Sequence, residues 1–366
     1  MAEHRPRVIM ATTRCFPDLG GIESHVAEVA PRVAAAFDVG VVTTDRTGTL
    51  APYDELAGVP IRRFRAYPRF RDYYASPGLF LHLLRGRYDL LHVQGIHTLV
   101  PPLAMLAAFL RRRPYVVTFH TGGSSSRLRT RARGLQFRLL RPLLRRAAAL
   151  VAVSTFEARR FETICKLPAG SIRVIRNGGT LPPPRYPVRV DPDLILSVGR
   201  LERYKGHDRA IAALAWLRHL RPNARLRILG AGPEEQRLRR LAQELGVAER
   251  VSIDFVPPLD RAAMSAAIAE AGVTVLLSQY EAHPVAVMES LALGRPVVVL
   301  DTSGMSELAD LDWVVAVAPD ATPAQIAETI AGQLDAPIVP EPGRLPDWDT
   351  SVAELIKAYR EVPAGS

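Results

Sequence analysis

Two doubly wound α/β domains in a single chain are what the sequence predicts, and three observations predict them. Short β-branched runs, apolar on both faces, alternate with longer helical stretches almost from end to end, as in parallel strands buried between helices. A proline-rich run, Leu181 to Asp193, interrupts that alternation midway and suits neither a helix nor a central strand. The chain has 366 residues, 48% of them hydrophobic, enough for two cores at about 100–200 residues per domain.

In the first half, strands are expected at Arg7–Ala11, Val39–Thr43, Asp89–Val93, Tyr115–Phe119, Leu150–Val153 and Arg173–Ile175, with helices between them such as Glu23–Phe37 and Leu135–Arg146. After the prolines the pattern restarts with Leu194–Val198, Leu226–Leu229, Val251–Phe255, Val273–Leu277, Val297–Leu300 and Val314–Val317. Trp348–Tyr359 is helical again, with Asp349, Thr350 or Ser351 as its cap. The boundaries that follow are 1–183 for the first domain, 184–193 for the linker and 194–346 for the second. No repeat of 20–50 residues is present, which excludes a solenoid.

Composition narrows the class further. Thirty Pro and 25 Gly are scattered among periodic segments, so the chain is neither collagen-like nor of low complexity. Cys15 and Cys165 are too few for a disulfide framework or a zinc site and fit a reducing cytosol. Met1 to Arg7 is polar, without signal-peptide layout, and no segment reaches the roughly 18–20 apolar residues of a membrane span. A cytoplasmic protein is therefore expected.

Charge is unevenly spread. Residues 1–180 hold 28 Lys+Arg against 12 Asp+Glu, a balance of +16, whereas 181–366 hold 19 against 25, a balance of −6. No acid occurs between Asp89 and Glu157, while eight arginines fall from Arg127 to Arg146 among several leucines. Such a block predicts an anionic partner, and its apolar neighbours favour reversible attachment to an anionic membrane surface. The other reading packs the leucines into the domain and leaves the arginines solvated; Pro142 is expected to interrupt any long surface helix there. Nucleic acid is not expected, because only Phe137 is interleaved with the arginines for stacking.

Ligands of open α/β sheets bind beyond the carboxyl ends of the strands, so the loops there carry the information. Gly20-Gly21 opens the first helix, where bare backbone amides suit an anion. His120 lies at the end of the Tyr115–Phe119 strand. Beyond Val198 come Gly199 and Arg200, then Lys205, a lysine in a chain that otherwise writes arginine; two fixed cations at one strand end suit a diphosphate. Gly230-Ala-Gly232 forms a glycine-rich turn, but Glu235 stands where a dinucleotide fingerprint needs its third glycine. Glu281 and Glu289, eight apart, are expected about two helical turns from one another on one side of a site.

In this order and context these loops resemble the retaining nucleotide-sugar glycosyltransferases of family 4. The resemblance also includes Ser154-Thr-Phe-Glu157, Val174-Ile-Arg-Asn-Gly178, Gly294-Arg-Pro-Val-Val298 and Ser303-Gly-Met-Ser-Glu307, and covers nearly the whole chain. It implies the GT-B fold, two Rossmann-like domains facing across a cleft, with Trp348–Tyr359 (347–366 in all) crossing back to complete the first. It implies that Arg200 and Lys205 clamp the donor diphosphate, that Glu289 binds the ribose and Glu281 the donor sugar. Gly20 and Gly21 would let their loop reach the phosphates, His120 would face the reacting sugar, and Gly199, Gly230, Gly232 and Val285 complete the donor contacts. Many relatives have Glu-Gly-Phe-Gly where this chain has Glu281-Ala-His-Pro284; Pro284 lacks an amide hydrogen, and His283 is expected to add a side-chain contact. His120, Glu281, Arg200 and Lys205 are the catalytic candidates.

No metal site and no cofactor are expected beyond a nucleotide sugar as co-substrate, UDP being the commonest base in such a family. Three Asp-x-Asp triplets, Asp191 to Asp193, Asp310 to Asp312 and Asp347 to Asp349, accompany no nucleotide loop and read as turns or caps. The expected reaction is metal-independent, retaining transfer of a hexose-type sugar to a hydroxyl of a lipid-linked or saccharide acceptor in envelope, exopolysaccharide or glycolipid synthesis. A soluble natural-product acceptor is the alternative, and a non-catalytic sugar-nucleotide or nucleic-acid-binding protein is the alternative from another class.

Overall fold

The computed structural model describes residues 5–18, 20–69, 73–120, 127–341 and 343–363, with the backbone alone over 127–135. It separates into two units, one built from the chain up to Arg176 together with Trp348 onward, the other from Asn177–Asp347. The change of unit thus falls ahead of residue 183, and the prolines are no free linker. Two contacts explain this: the Asn177 amide donates to the His283 carbonyl at 2.9 Å, and Gly179 lies against the Met288 carbonyl, which tie the run to the second unit.

In the first unit the chain runs through β1 (Arg7–Ala11), α1 (Gly21–Val33), β2 (Asp38–Asp45), β3 (Tyr53–Leu56), β4 (Val59–Arg65), α2 (Pro77–Arg85) and β5 (Leu90–Gln94). It continues through α3 (Val100–Leu110), β6 (Tyr115–Thr118), α4 (Arg127–Leu144), β7 (Ala149–Ala152), α5 (Thr155–Cys165) and β8 (Arg173–Val174). Sheet order is β3-β4-β2-β1-β5-β6-β7-β8, parallel except for the β3–β4 hairpin. That hairpin turns on Ala57 and Gly58, both at positive φ (47° and 83°), the geometry of a two-residue primed turn. α4 does not stop at Pro142, contrary to expectation: the proline falls two residues from the helix end and removes one backbone bond near its last turn.

The core of this unit gathers Leu91, Val93, Val117, Phe119 and Phe161, the two phenylalanines stacked 4.1 Å apart. The last helix of the chain (Trp348–Arg360) also belongs here. It buries Trp348, Val352, Leu355 and Tyr359 at helical spacing, setting Trp348 on His25 and Tyr359 on Phe37, while Arg32 donates to Asp349 at 2.8 Å.

The second unit comprises β9 (Asp191–Val198), α6 (His207–Leu220), β10 (Arg225–Leu229), α7 (Glu235–Glu244), β11 (Val251–Asp254) and α8 (Arg261–Glu270). Next come β12 (Ala271–Leu276), α9 (Val285–Ala292), β13 (Val297–Leu300), α10 (Ser303–Asp310), β14 (Val315–Val317) and α11 (Pro323–Asp335), which makes the helix Trp348–Arg360 α12. Six parallel strands lie in the order β11-β10-β9-β12-β13-β14, with Ile228, Val273, Val275 and Val298 in their shared core. Sheet growth therefore reverses between β9 and β12, and in the first unit between β1 and β5. Such reversals open a crevice at the carboxyl ends of the two strands concerned.

Candidate active site

The reversal in the second sheet brings together the loops after β9 and β12, residues 199–206 and 277–284, and these carry Arg200, Lys205 and Glu281. Lys205 Nζ lies 2.6 Å from Glu281 Oε1, with the two side chains only 15% and 13% exposed. Burial pushes the ammonium down, but the Glu281 carboxylate and Tyr204 more than reverse it, so the Lys205 pKa lies above the ordinary lysine value. Arg200 is bound by the Glu202 carboxylate and donates to the Tyr204 hydroxyl at 2.8 Å. Tyr204 is buried under this group, and Lys205 Nζ stands 5.5 Å from its ring centroid. Two cations and two carboxylates thus share one strand-end crevice.

Backbone packing explains the glycines. Gly206 has φ 75°, and an added Cβ would stand 2.0 Å from the Leu277 carbonyl oxygen, so only glycine lets the two loops meet. Gly206→Ala is expected to destabilise the protein by about 2–4 kcal/mol, read as a fall in the thermal midpoint. An added Cβ at Gly230 or Gly232 would meet the carbonyl oxygens of Gly199 and Leu201 at 1.9 and 2.5 Å, so the expected nucleotide turn also packs tightly on the Arg200 loop. His207 anchors the same loop from beneath. Its ring contacts Ser197 Oγ at 2.9 Å and the Arg200 carbonyl at 3.2 Å, and burial lowers its pKa to about 4.

Glu281 and Glu289 do not share a helix face. α9 begins at Val285, behind Pro284, which leaves Glu281 in the preceding loop. Both backbone groups of Glu281 are held by the start of α10: its N–H donates to Ser303 Oγ at 2.9 Å, and its carbonyl accepts from Gly304 N–H at 2.9 Å. Ser303 adopts φ 53° to do this, a conformation uncommon for a residue with a side chain. Glu289 is buried on α9 and paired with Arg261 of α8. His283 is buried too, and the contact it makes through its backbone is with Asn177.

In the first unit, Gly20 caps α1 and Gly21 starts it, beside the crevice between β1 and β5; an added Cβ on Gly21 would meet nothing within 4 Å. His120 follows β6 by two residues and is buried. Its Nε2 lies 2.7 Å from Gln94 Oε1, and its carbonyl accepts from His97 Nε2 at 2.7 Å. Burial, then His25, His92 and His97, pushes its pKa well below the usual histidine value, so the ring is neutral near pH 7. It suits hydrogen bonding rather than proton exchange with solvent. Among the described residues no group of three or more His, Cys, Asp or Glu is arranged to hold a metal ion. Asp191 accepts from the Asp193 amide in a turn at the start of β9.

Tyr204, His207, Arg261, Ser303 and Gln94 were not singled out for roles by sequence. Tyr204 carried one signal, its place four residues after Arg200 and next to Lys205; the others depend on tertiary partners.

Residues 19–179 match the family described as Glycosyltransferase Family 4, and residues 183–341 the one described as Glycosyl transferases group 1. The D-inositol 3-phosphate glycosyltransferase of Nocardiopsis dassonvillei is 30% identical, over 95% of this chain and 91% of its own. The GDP-mannose:cellobiosyl-diphosphopolyprenol alpha-mannosyltransferase of Xanthomonas oryzae is 27% identical, over 79% of this chain and 77% of its own. Anabaena HepE, solved in complex with UDP and glucose, has a TM-score of 0.73 at 17% identity, covering 98% of this chain and 100% of that one. Both sheets, their order and these matches agree, and the chain belongs to the family 4 glycosyltransferases of GT-B fold.

Proposed function

We propose that the protein moves a hexose-type sugar from a UDP-sugar to a hydroxyl of a saccharide or lipid-linked acceptor in the cytoplasm, with retention at the anomeric carbon and without a metal ion. One observation carries the reading: Arg200, Lys205 and Glu281 converge where the second sheet reverses. Two protein cations there can take the charge of a leaving diphosphate, the task a metal ion performs elsewhere. Diphosphate would exchange with Glu281 for Lys205 and with Glu202 for Arg200, freeing the Glu281 carboxylate for a sugar hydroxyl. Glu289, steadied by Arg261, would accept from the ribose. The amides at Gly20 and Gly21 would suit phosphate, and neutral His120 a hydroxyl of the reacting sugar.

In the proposed step the acceptor oxygen attacks the anomeric carbon from the face the diphosphate leaves. The carbon–oxygen bond to phosphate breaks, the new glycosidic bond forms, and the acceptor proton passes to the departing phosphate oxygen. The relatives support the substrate classes: one is named for inositol 3-phosphate, another for a lipid-linked diphosphate, and the Anabaena protein was solved with UDP and glucose. Product stereochemistry is the test. With UDP-glucose and an accepted saccharide, a proton NMR time course should give the same anomeric configuration as the donor; an inverted first product overturns the reading.

Membrane attachment enters the proposal in a narrower form. Residues 127–135 have no described side chains, and Phe137, Leu140 and Leu144 lie in the core rather than on a surface. Among the described side chains, α4 and the residues just beyond it offer Leu139, 71% exposed, with exposed Arg138, Arg145 and Arg146 to an anionic leaflet. No described helix is long and apolar enough to cross a membrane. Pelleting with anionic but not neutral vesicles, lost in high salt, is expected. Equal pelleting with both, or none with either, removes the membrane from the account.

A further inference from the structure

We propose that Tyr204 is a positioning residue of the donor site: its hydroxyl keeps hold of Arg200 by one nitrogen, so that the guanidinium stays aimed into the crevice when Glu202 gives way to a diphosphate. The inference rests on the proposed diphosphate clamp and names what aims one of its two cations.

The backbone of Arg200 is fixed first. Its carbonyl accepts from the Glu202 N–H at 2.7 Å and from His207 Nε2 at 3.2 Å, which leaves only the side-chain torsions to be set. Arginine loses much rotamer freedom when it is ordered, so a clamp built from it needs a partner that holds it before the ligand arrives. Two groups share the guanidinium. Glu202 takes Nη1 in an ion pair, and the Tyr204 hydroxyl accepts from Nη2 at 2.8 Å.

A phosphate treats these two partners differently. Glu202 is an anion, so it competes with diphosphate for the same N–H groups and offsets the charge that attracts it. Tyr204 is neutral, because burial outweighs the two cations beside it and raises its pKa above the ordinary tyrosine value. A hydroxyl that accepts one hydrogen bond leaves the charge of Arg200 whole. The guanidinium carries five N–H groups in a fixed fork, so Nη1 can turn to phosphate while Nη2 stays on the phenol. Tyr204 is itself anchored. It lies in the single 3₁₀ turn Arg203–Lys205, buried, and its carbonyl accepts from the Gln279 N–H at 2.8 Å, which ties it to the loop after β12. Without the hydroxyl, Glu202 is what remains among the described residues to hold the guanidinium, and a carboxylate can take two of its N–H groups at once.

Calorimetric titration of UDP, with EDTA present, into full-length variants tests the proposal. Tyr204→Phe keeps the ring and should weaken binding about tenfold. In an Arg200→Ala background the same change should cost less than about twofold, because its effect passes through the guanidinium. Adding Glu202→Gln to Tyr204→Phe should recover most of the loss, since the competing carboxylate is gone. A phenol that only packs would give an equal loss with or without Arg200, and no rescue. Wild-type affinity in Tyr204→Phe, or equal losses in both backgrounds, overturns the proposal. If Tyr204→Phe does not fold, Glu202→Gln alone decides: it should bind UDP several-fold tighter than wild type, and unchanged affinity removes the competition on which the proposal stands. Arg200→Ala with wild-type affinity would bring down the clamp and this inference with it, whereas a weakened Arg200→Ala beside an unaffected Tyr204→Phe sinks this inference alone.

Discussion

Replacing Lys205 with alanine is expected to lower kcat/KM for the nucleotide sugar at least tenfold, and Arg200→Ala to do the same. Each removes a charge-assisted contact to phosphate, worth about 1.5–3 kcal/mol, from a site where water competes weakly. Lys205→Ala carries a second cost, since Glu281 loses its partner while only 13% exposed. That variant should therefore also melt earlier than wild type, whereas Arg200→Ala, whose side chain is 33% exposed, should melt close to it. Circular dichroism checks folding, and initial rates against donor concentration check the clamp. If both single variants turn over like the parent, Arg200 and Lys205 do not hold the diphosphate.

The second large effect is on acid stability. Burial lowers the pKa of His92 to about 3 and of His207 to about 4, and holds His120 well below the ordinary value. In the unfolded chain each takes up a proton near pH 6.5. Below that pH the unfolded state binds protons the folded state refuses, so stability falls as pH falls; above it the contribution is constant. Between pH 7 and pH 5 His92 and His207 each remove about 2 kcal/mol, with His120 acting in the same direction, against a total of about 5–15 kcal/mol for a typical domain. Two of the three lie in the first unit, which should soften first. A thermal midpoint lower by about 10 °C at pH 5 than at pH 7 is expected. An unchanged midpoint means that these rings are not held neutral.

What could be anticipated from sequence was whatever a local pattern encodes. Val297–Leu300 is a strand in the structure as expected because four apolar residues buried on both sides have no helical alternative of that length. Arg200, Lys205 and Glu281 were findable because they follow strands, where ligands of such sheets bind. Tyr53–Arg65 was missed as a hairpin because its turn uses Ala57-Gly58 in place of Asn-Gly, and the edge strand β3 is almost wholly exposed. The eight-residue spacing of Glu281 and Glu289 suggested one helix, but Pro284 starts α9 only after Glu281, and each carboxylate finds its cation on a different element. The buried contacts of Tyr359 with His92 and of His120 with Gln94 join residues 267 and 26 apart in sequence, and no local pattern can pair those.

Calorimetric titration of UDP into the wild-type protein and into an Arg200→Ala/Lys205→Ala variant, both with EDTA present, tests the central claim most directly. Saturable one-to-one binding to wild type, weakened at least a hundredfold in the folded double variant, is the predicted result. Binding of equal strength to both proteins, or heat that appears only when a divalent metal replaces EDTA, would contradict a diphosphate site built from these two cations.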